Sequence, residues 1–163
     1  MMDWTRSGIV IAAVTLLSAN AWAGEGPSGH SHSHGETFSA GEPGNPKKPA
    51  RIVQVTMGES DGKMLFLPAR LEIRKGDQIK FVLRNNGELE HEFVLASTAD
   101  NLKHAEAMKK HPDMAHQEPN GRQLAPKKTS ELVWKFTRAG EFEYACLIPG
   151  HREAGMTGTI VVK

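Results

Sequence analysis

The chain has 163 residues, with 20 Lys and Arg against 19 Asp and Glu, a net charge of +1 and 39% hydrophobic residues. That balance calls for neither a nucleic acid nor an anionic membrane as partner, and the length suffices for one domain with a real core. A single cysteine, Cys146, excludes an intramolecular disulfide, and the sequence carries neither a Gly-rich phosphate loop after a strand nor a Gly-x-Ser-x-Gly nucleophile turn.

Residues 1–23 read as an export signal. Arg6 gives a positive start, Ile9 to Ala19 a short apolar run, and Ala21-Trp22-Ala23 a small-x-small cleavage site. The run is too short to span a bilayer as a helix, so the processed chain is expected free of the membrane, in a periplasm or similar oxidising space. There a lone thiol oxidises or cross-links unless something occupies it, and a bound metal does so. Residues 24–49 are rich in Gly, Pro, Ser and His; they bury too little apolar surface to fold alone and read as a flexible tail. Within it His30, His32 and His34 place imidazoles on one segment, a set suited to Cu(II), Ni(II) or Zn(II). The plainer reading is a solvated linker with incidental histidines.

From residue 50 to 163 the pattern becomes one of short alternating runs. Ile52 to Met57, Met64 to Leu67, Ala69 to Arg74, Gln78 to Arg84 and Glu92 to Ala96 read as strands between Gly-, Asp- and Asn-containing turns. Ile79, Phe81 and Leu83 share one face, the period of a half-buried strand. A polar interval, 97–126, is too long for a bare loop and reads as a helical insertion. Asp100 is expected to cap a helix from Asn101 to Lys110, with a Glu106–Lys110 pair along it and Pro112 stopping it. His104, Met108 and His111 then share one side, with Met114 and His116 beyond, a thioether and imidazole mixture that suits Cu(I) and Cu(II). The competing reading is an exposed helix with Met108 packed onto the sandwich. Three further strands follow at Glu131 to Thr137, Glu141 to Cys146 and Thr157 to Val162, with Leu132, Trp134 and Phe136 inward and Phe142, Tyr144 and Cys146 on one face. Seven or eight short strands at this spacing predict an all-β, antiparallel β-sandwich.

The chemistry gathers between the last two strands, where Cys146, His151 and Met156 fall five residues apart. A thiolate, an imidazole and a thioether from one loop are a mixed soft and borderline set that suits copper. A second imidazole would complete a trigonal two-His, one-Cys site with a weak axial Met, and His91 is the candidate. Singly, each has a bland reading: a buried Cys as a small hydrophobe, a satisfied core His, a packing Met. Together, at the ends of strands in a sandwich, they point to a metal. Pro149 and Gly150 shape the loop, and Gly155 eases the chain toward Met156.

These residues resemble the cupredoxins, small blue-copper proteins such as plastocyanin, azurin, auracyanin and rusticyanin, over residues 51–163. The motifs that carry the resemblance are Asn85-Asn86-Gly87 with His91 and Phe93, and the run from Phe142 through Cys146, His151 and Met156 to Gly158 and Val161. The Cys-x4-His-x4-Met spacing is similar to that of auracyanin and rusticyanin and unlike plastocyanin's shorter loop. The resemblance implies a cupredoxin-like Greek-key sandwich and one type 1 copper alternating between Cu(II) and Cu(I). His91, Cys146 and His151 would be its equatorial ligands and Met156 the axial one, with intense visible colour. The chain departs from the family at Glu92, where Asn often ties the ligand loops together, and at Glu90, where azurin has Gly and an extra carbonyl ligand.

The His-rich tail and helical insertion further resemble the periplasmic copper-tolerance cupredoxins of the CopI type. Copper tolerance or handling in the periplasm, as a monomer with additional weakly bound copper, is therefore the expected function. The alternative is a soluble one-electron carrier docking to a periplasmic redox protein through an apolar patch of Leu147, Ile148 and Pro149 around His151. A copper exporter or oxidase is a further expected partner. No enzyme activity is expected, because multicopper oxidases and copper nitrite reductases need additional His-rich copper centres that one short domain does not supply.

Overall fold

The computed structural model describes residues 38–110 and 118–163. Their strands are β1 (Glu42–Pro43), β2 (Arg51–Ser60), β3 (Lys63–Leu67), β4 (Arg70–Ile73), β5 (Gln78–Asn85), β6 (His91–Ala96), β7 (Gly121–Leu124), β8 (Thr129–Lys135), β9 (Gly140–Ala145) and β10 (Thr157–Val162), with one helix, α1 (Thr98–Lys110). They form two five-stranded sheets, ordered β1-β8-β5-β2-β3 and β4-β10-β9-β6-β7. The expected β-sandwich is therefore present. No helix among the described residues is long and apolar enough to cross a membrane.

Alternation along the strands builds the core. Ile79, Phe81 and Leu83 of β5, Leu132 and Trp134 of β8, and Phe142 and Tyr144 of β9 all face it, as their period of two requires. Phe93 and Tyr144 stack at a centroid distance of 5.2 Å, and Phe66 meets Tyr144 edge-on at 5.1 Å. Such pairs contribute about 1 kcal/mol each beyond the area they bury. Strand β6 departs from alternation: all six residues are buried. One face meets the core, while on the other Val94 clusters with Ala145 and Leu147, against which Ala105 of α1 packs.

Four expectations are corrected. The pairing is mixed rather than antiparallel throughout, since β2 with β5 and β4 with β10 run parallel. Strand β4 lies in the other sheet, so the chain crosses over between β2 and β5 and returns in the same direction. Residues 38–49 are not a free tail: β1 pairs with β8, Ala40 is fully buried, and Phe38 meets Trp134 edge-on at 5.2 Å. A few apolar anchors hold this segment to a sheet that already exists, which composition alone does not reveal. Within 97–126, Gly121–Leu124 forms β7 against β6; with Arg122 and Gln123 at its centre it lacks an apolar pattern.

The fourth correction concerns the helix, which begins at Thr98 with Ser97 as its cap. The Ser97 hydroxyl accepts the Asp100 amide at 3.1 Å, capping the helix, and donates to the Asp100 carboxylate at 2.7 Å. Along the helix Glu106 pairs with Lys109 at 2.9 Å, and Lys109 also reaches Glu153 at 3.2 Å. Asn101 is buried and donates to the Glu143 side chain at 3.2 Å, tying α1 to β9.

Candidate metal centre

His91 is the first residue of β6, and Cys146 directly follows β9, the neighbouring strand. The loop from Leu147 to Met156 then carries His151 back over them. Its fold comes from short main-chain bonds: His151 N–H to Ile148 at 3.0 Å, Ala154 to Gly150 at 3.0 Å, Met156 to His151 at 3.1 Å, and Cys146 to Met156 at 3.1 Å. Gly150 and Gly155 have φ of 91° and 97°, left-handed conformations that glycine adopts without steric cost. Arg152 anchors the loop to β9 by donating to Glu143 at 2.8 Å.

The ligand-type atoms of His91, Cys146 and His151 all lie within 4.8 Å of one another, the only such group formed by His, Cys and carboxylate side chains among the described residues. The Cys146 sulfur is 3.4 Å from His151 Nδ1. His91 and Cys146 are fully buried, and His151 is half-buried. His91 Nε2 lies 2.6 Å from a Glu59 carboxylate oxygen, whereas its Nδ1 is buried with no hydrogen-bond partner. A buried ring nitrogen without a partner is costly unless something accepts its lone pair. One thiol and two imidazoles this close together fit a copper ion in chemistry.

Burial pushes the Cys146 thiol up to about 12, against the pull of the Glu92 and Ile148 amides. The Glu92 amide donates to its sulfur at 3.3 Å. His151 is lowered by burial and then by the neighbouring His91, opposed by Glu59, which keeps its ring neutral and ready to donate a lone pair. Burial raises the Glu92 carboxyl to about 7, although the Leu147 amide donates to it. Glu92 thus ties β6 to the start of the ligand loop, at the position where the family often has Asn.

Met156 is fully buried in the same core cluster as Cys146. Leu147 is buried against Val94 and Ala145, so the expected apolar patch around His151 is reduced to Ile148 and Pro149. His104 sits on α1 with Nδ1 3.8 Å from Glu118, and Met108 is buried. His30, His32, His34, His111, Met114 and His116 lie outside the described residues.

Two positioning roles were not read from the sequence, that of Glu59 and that of Asn85, which was noted there only as part of a motif. Asn85, fully buried, donates to the Leu89 and Leu124 carbonyls at 2.8 and 2.9 Å and accepts the Gly87 amide at 2.9 Å, fixing the turn before His91. Glu59 continues the inward series of Val55 and Met57 on β2. A carboxylate in an inward register at the ligand end of the sandwich was the available signal.

Residues 53–163 match the model of the copper binding proteins, plastocyanin/azurin family. The chain is 43% identical over 158 residues to the copper-resistant cuproprotein CopI of Rubrivivax gelatinosus, covering 95% of this chain and 94% of that protein. It is 35% identical to the copper-resistant cuproprotein CopI of Vibrio cholerae, covering 95% of this chain and 98% of that one. Among solved structures, auracyanin B superposes with a TM-score of 0.61 at 21% identity, over 77% of this chain and 98% of that one, a likeness of fold.

Proposed function

Because the chain belongs to the plastocyanin/azurin family of copper-binding proteins, as a cupredoxin of the CopI type, we propose that it is an exported copper-tolerance protein with one type 1 site. His91, Cys146 and His151 would hold the ion through Nδ1, Sγ and Nδ1, with Met156 as the weak fourth ligand. Bound there, copper supplies a one-electron couple. The residues do the rest: the two strand ends and the bonded loop hold the donors in place, burial of His91 and Cys146 excludes water, and Cys146 gives up its proton. The observation that carries this reading is the close group of His91, Cys146 and His151, in which His91 keeps a buried, partnerless Nδ1. CopI proteins carry copper resistance in their name, and His30, His32 and His34 are extra donors that an electron carrier leaves idle. No catalytic role is proposed.

The test is titration of metal-free protein with Cu(II), followed by visible absorption and paramagnetic spectra. One intensely absorbing ion per chain supports the site, and further ions lost on replacing His30, His32 and His34 support the handling role. Absence of any absorbing complex would sink the copper reading. The half-buried His151 ring, beside exposed Pro149, favours electron transfer as a second reading. Rapid, reversible reduction by a cytochrome is its test.

A further inference from the structure

We infer that Glu59 is a positioning residue for the metal centre: its carboxylate holds His91 as the Nε2–H tautomer, leaves the Nδ1 lone pair for the metal, and favours Cu(II) over Cu(I). This rests on the copper site proposed above.

The carboxylate is built into place. One oxygen faces His91 Nε2 at 2.6 Å and accepts the Leu89 amide at 3.2 Å; the other accepts the Glu88 amide at 2.9 Å. A Cβ at Gly87 would stand 2.5 Å from both oxygens, so the turn that delivers His91 wraps the carboxylate closely and a side chain there would displace it. Both oxygens thus meet backbone N–H donors as well as the ring, the setting of a carboxylate that accepts. An ionised carboxylate only accepts, so the short contact obliges Nε2 to donate. In a neutral ring Nδ1 is then the bare nitrogen, and it is the atom left buried without a partner. A carboxylate behind a ligating imidazole fixes its ring and raises its basicity.

Charge completes the case. Cu(II) with one thiolate leaves a single positive charge beside His91 and Cys146, both fully buried. Glu59, one hydrogen bond behind His91, cancels it. Cu(I) with the same thiolate is already neutral and gains no such compensation, so losing Glu59 costs the oxidised state more.

The experiment compares wild type with Glu59→Gln, Glu59→Ala and Glu59→Asp. Nitrogen-15 NMR of the metal-free proteins reads the His91 tautomer, and competition titrations with Cu(II) and with Cu(I) read the two affinities. Wild type is expected to show a protonated Nε2 and a bare Nδ1. Glu59→Gln and Glu59→Ala should lower that tautomer's population and weaken Cu(II) binding about tenfold, with a smaller loss for Cu(I). Each tenfold change in the ratio raises the copper potential by about 59 mV. Glu59→Asp should recover part of both. A purely structural role would weaken both oxidation states alike; an unchanged affinity ratio with an unchanged tautomer in Glu59→Gln therefore overturns the inference. Failure of wild type to bind copper while its tautomer is as stated would instead remove the copper reading alone.

Discussion

The Glu92 amide stands 3.3 Å from the Cys146 sulfur, joining residues 54 apart in the chain. One residue therefore serves both halves of the site. Its N–H stabilises the thiolate, and its carboxyl, 2% exposed, accepts the Leu147 amide at the start of the loop that carries His151. The second task has a cost, because a carboxyl so deeply buried resists ionisation.

That cost predicts a pH dependence for the metal-free protein. The Glu92 carboxyl moves from its ordinary 4.5 to about 7 on folding, so the folded state holds this proton more tightly than the unfolded one. The stability it contributes is present below pH 4.5 and is lost as pH rises through about 7. The loss amounts to about 3 kcal/mol. Glu92→Gln keeps an acceptor for Leu147 without a charge, so the variant should be more stable than wild type at pH 8 and lack this slope. Urea unfolding at pH 5 and pH 8 measures both, and parallel wild-type and variant profiles would refute the prediction.

Cys146 predicts a proton count. With its thiol pushed up to about 12 by burial, it is protonated in the metal-free protein at neutral pH, and thiolate ligation must release that proton. Apparent Cu(II) affinity should then rise about tenfold per pH unit between pH 7 and pH 9, with about one proton released per ion. Alkylation of the metal-free thiol should be slow, since the thiolate is the nucleophile. Calorimetry in buffers of different ionisation heat counts the protons. A count near zero contradicts thiolate ligation.

Cys146→Ser tests the same atom through its colour. The hydroxyl replaces the sulfur with little change of size in a site that is fully buried, so the sandwich should persist. The intense visible band expected of a copper–thiolate bond should vanish, and Cu(II) should bind far more weakly, because a serine hydroxyl is a poor ligand beside a thiolate. An absorption spectrum and a circular dichroism melt on one sample separate loss of ligand from loss of fold. Persisting colour would mean that Cys146 is not the ligand.

How much of this was legible depended on which signal each residue carried. Phe142, Tyr144 and Cys146 alternate, and alternation placed the thiol on the core side of β9, where the structure has it. Cys146, His151 and Met156 were found because their spacing within one loop is itself a pattern. His91 carries no such local pattern: donor chemistry made it the candidate second imidazole and the resemblance gave it the ligand role, since nothing local joins it to a cysteine 55 positions later. Glu59 and Asn85 act through a neighbouring turn, and only tertiary pairing shows that the end of β2 meets the turn before β6. β1 and β7 have no pattern of their own and exist because a completed strand offers them an edge. Ser97 was missed as the cap because Asp100 is an equally good cap by type; the hydrogen bonds decide between them.

A last prediction concerns the frame behind the ligand loop, at Gly158. A Cβ added there would stand 2.1 Å from Tyr144 Cζ and 2.2 Å from its Cε2. The ring cannot yield cheaply: it is fully buried between Phe66 and Phe93, and its hydroxyl donates to the Pro68 carbonyl. Gly158→Ala should therefore cost about 3 kcal/mol, the upper end of what overpacking ordinarily does. Because Tyr144 lies two residues before Cys146, the strain should also shift the visible band of the copper form. Tyr144→Leu removes the ring and leaves a cavity, costing about 3 kcal/mol alone. In the double variant the new methyl occupies space the ring has vacated, so the combined loss should fall below the sum by at least about 1 kcal/mol. Chemical unfolding of the four proteins completes the cycle. Strict additivity would mean that strand β10 moves away to admit the methyl, and that Gly158 does not hold Tyr144 in register behind the site.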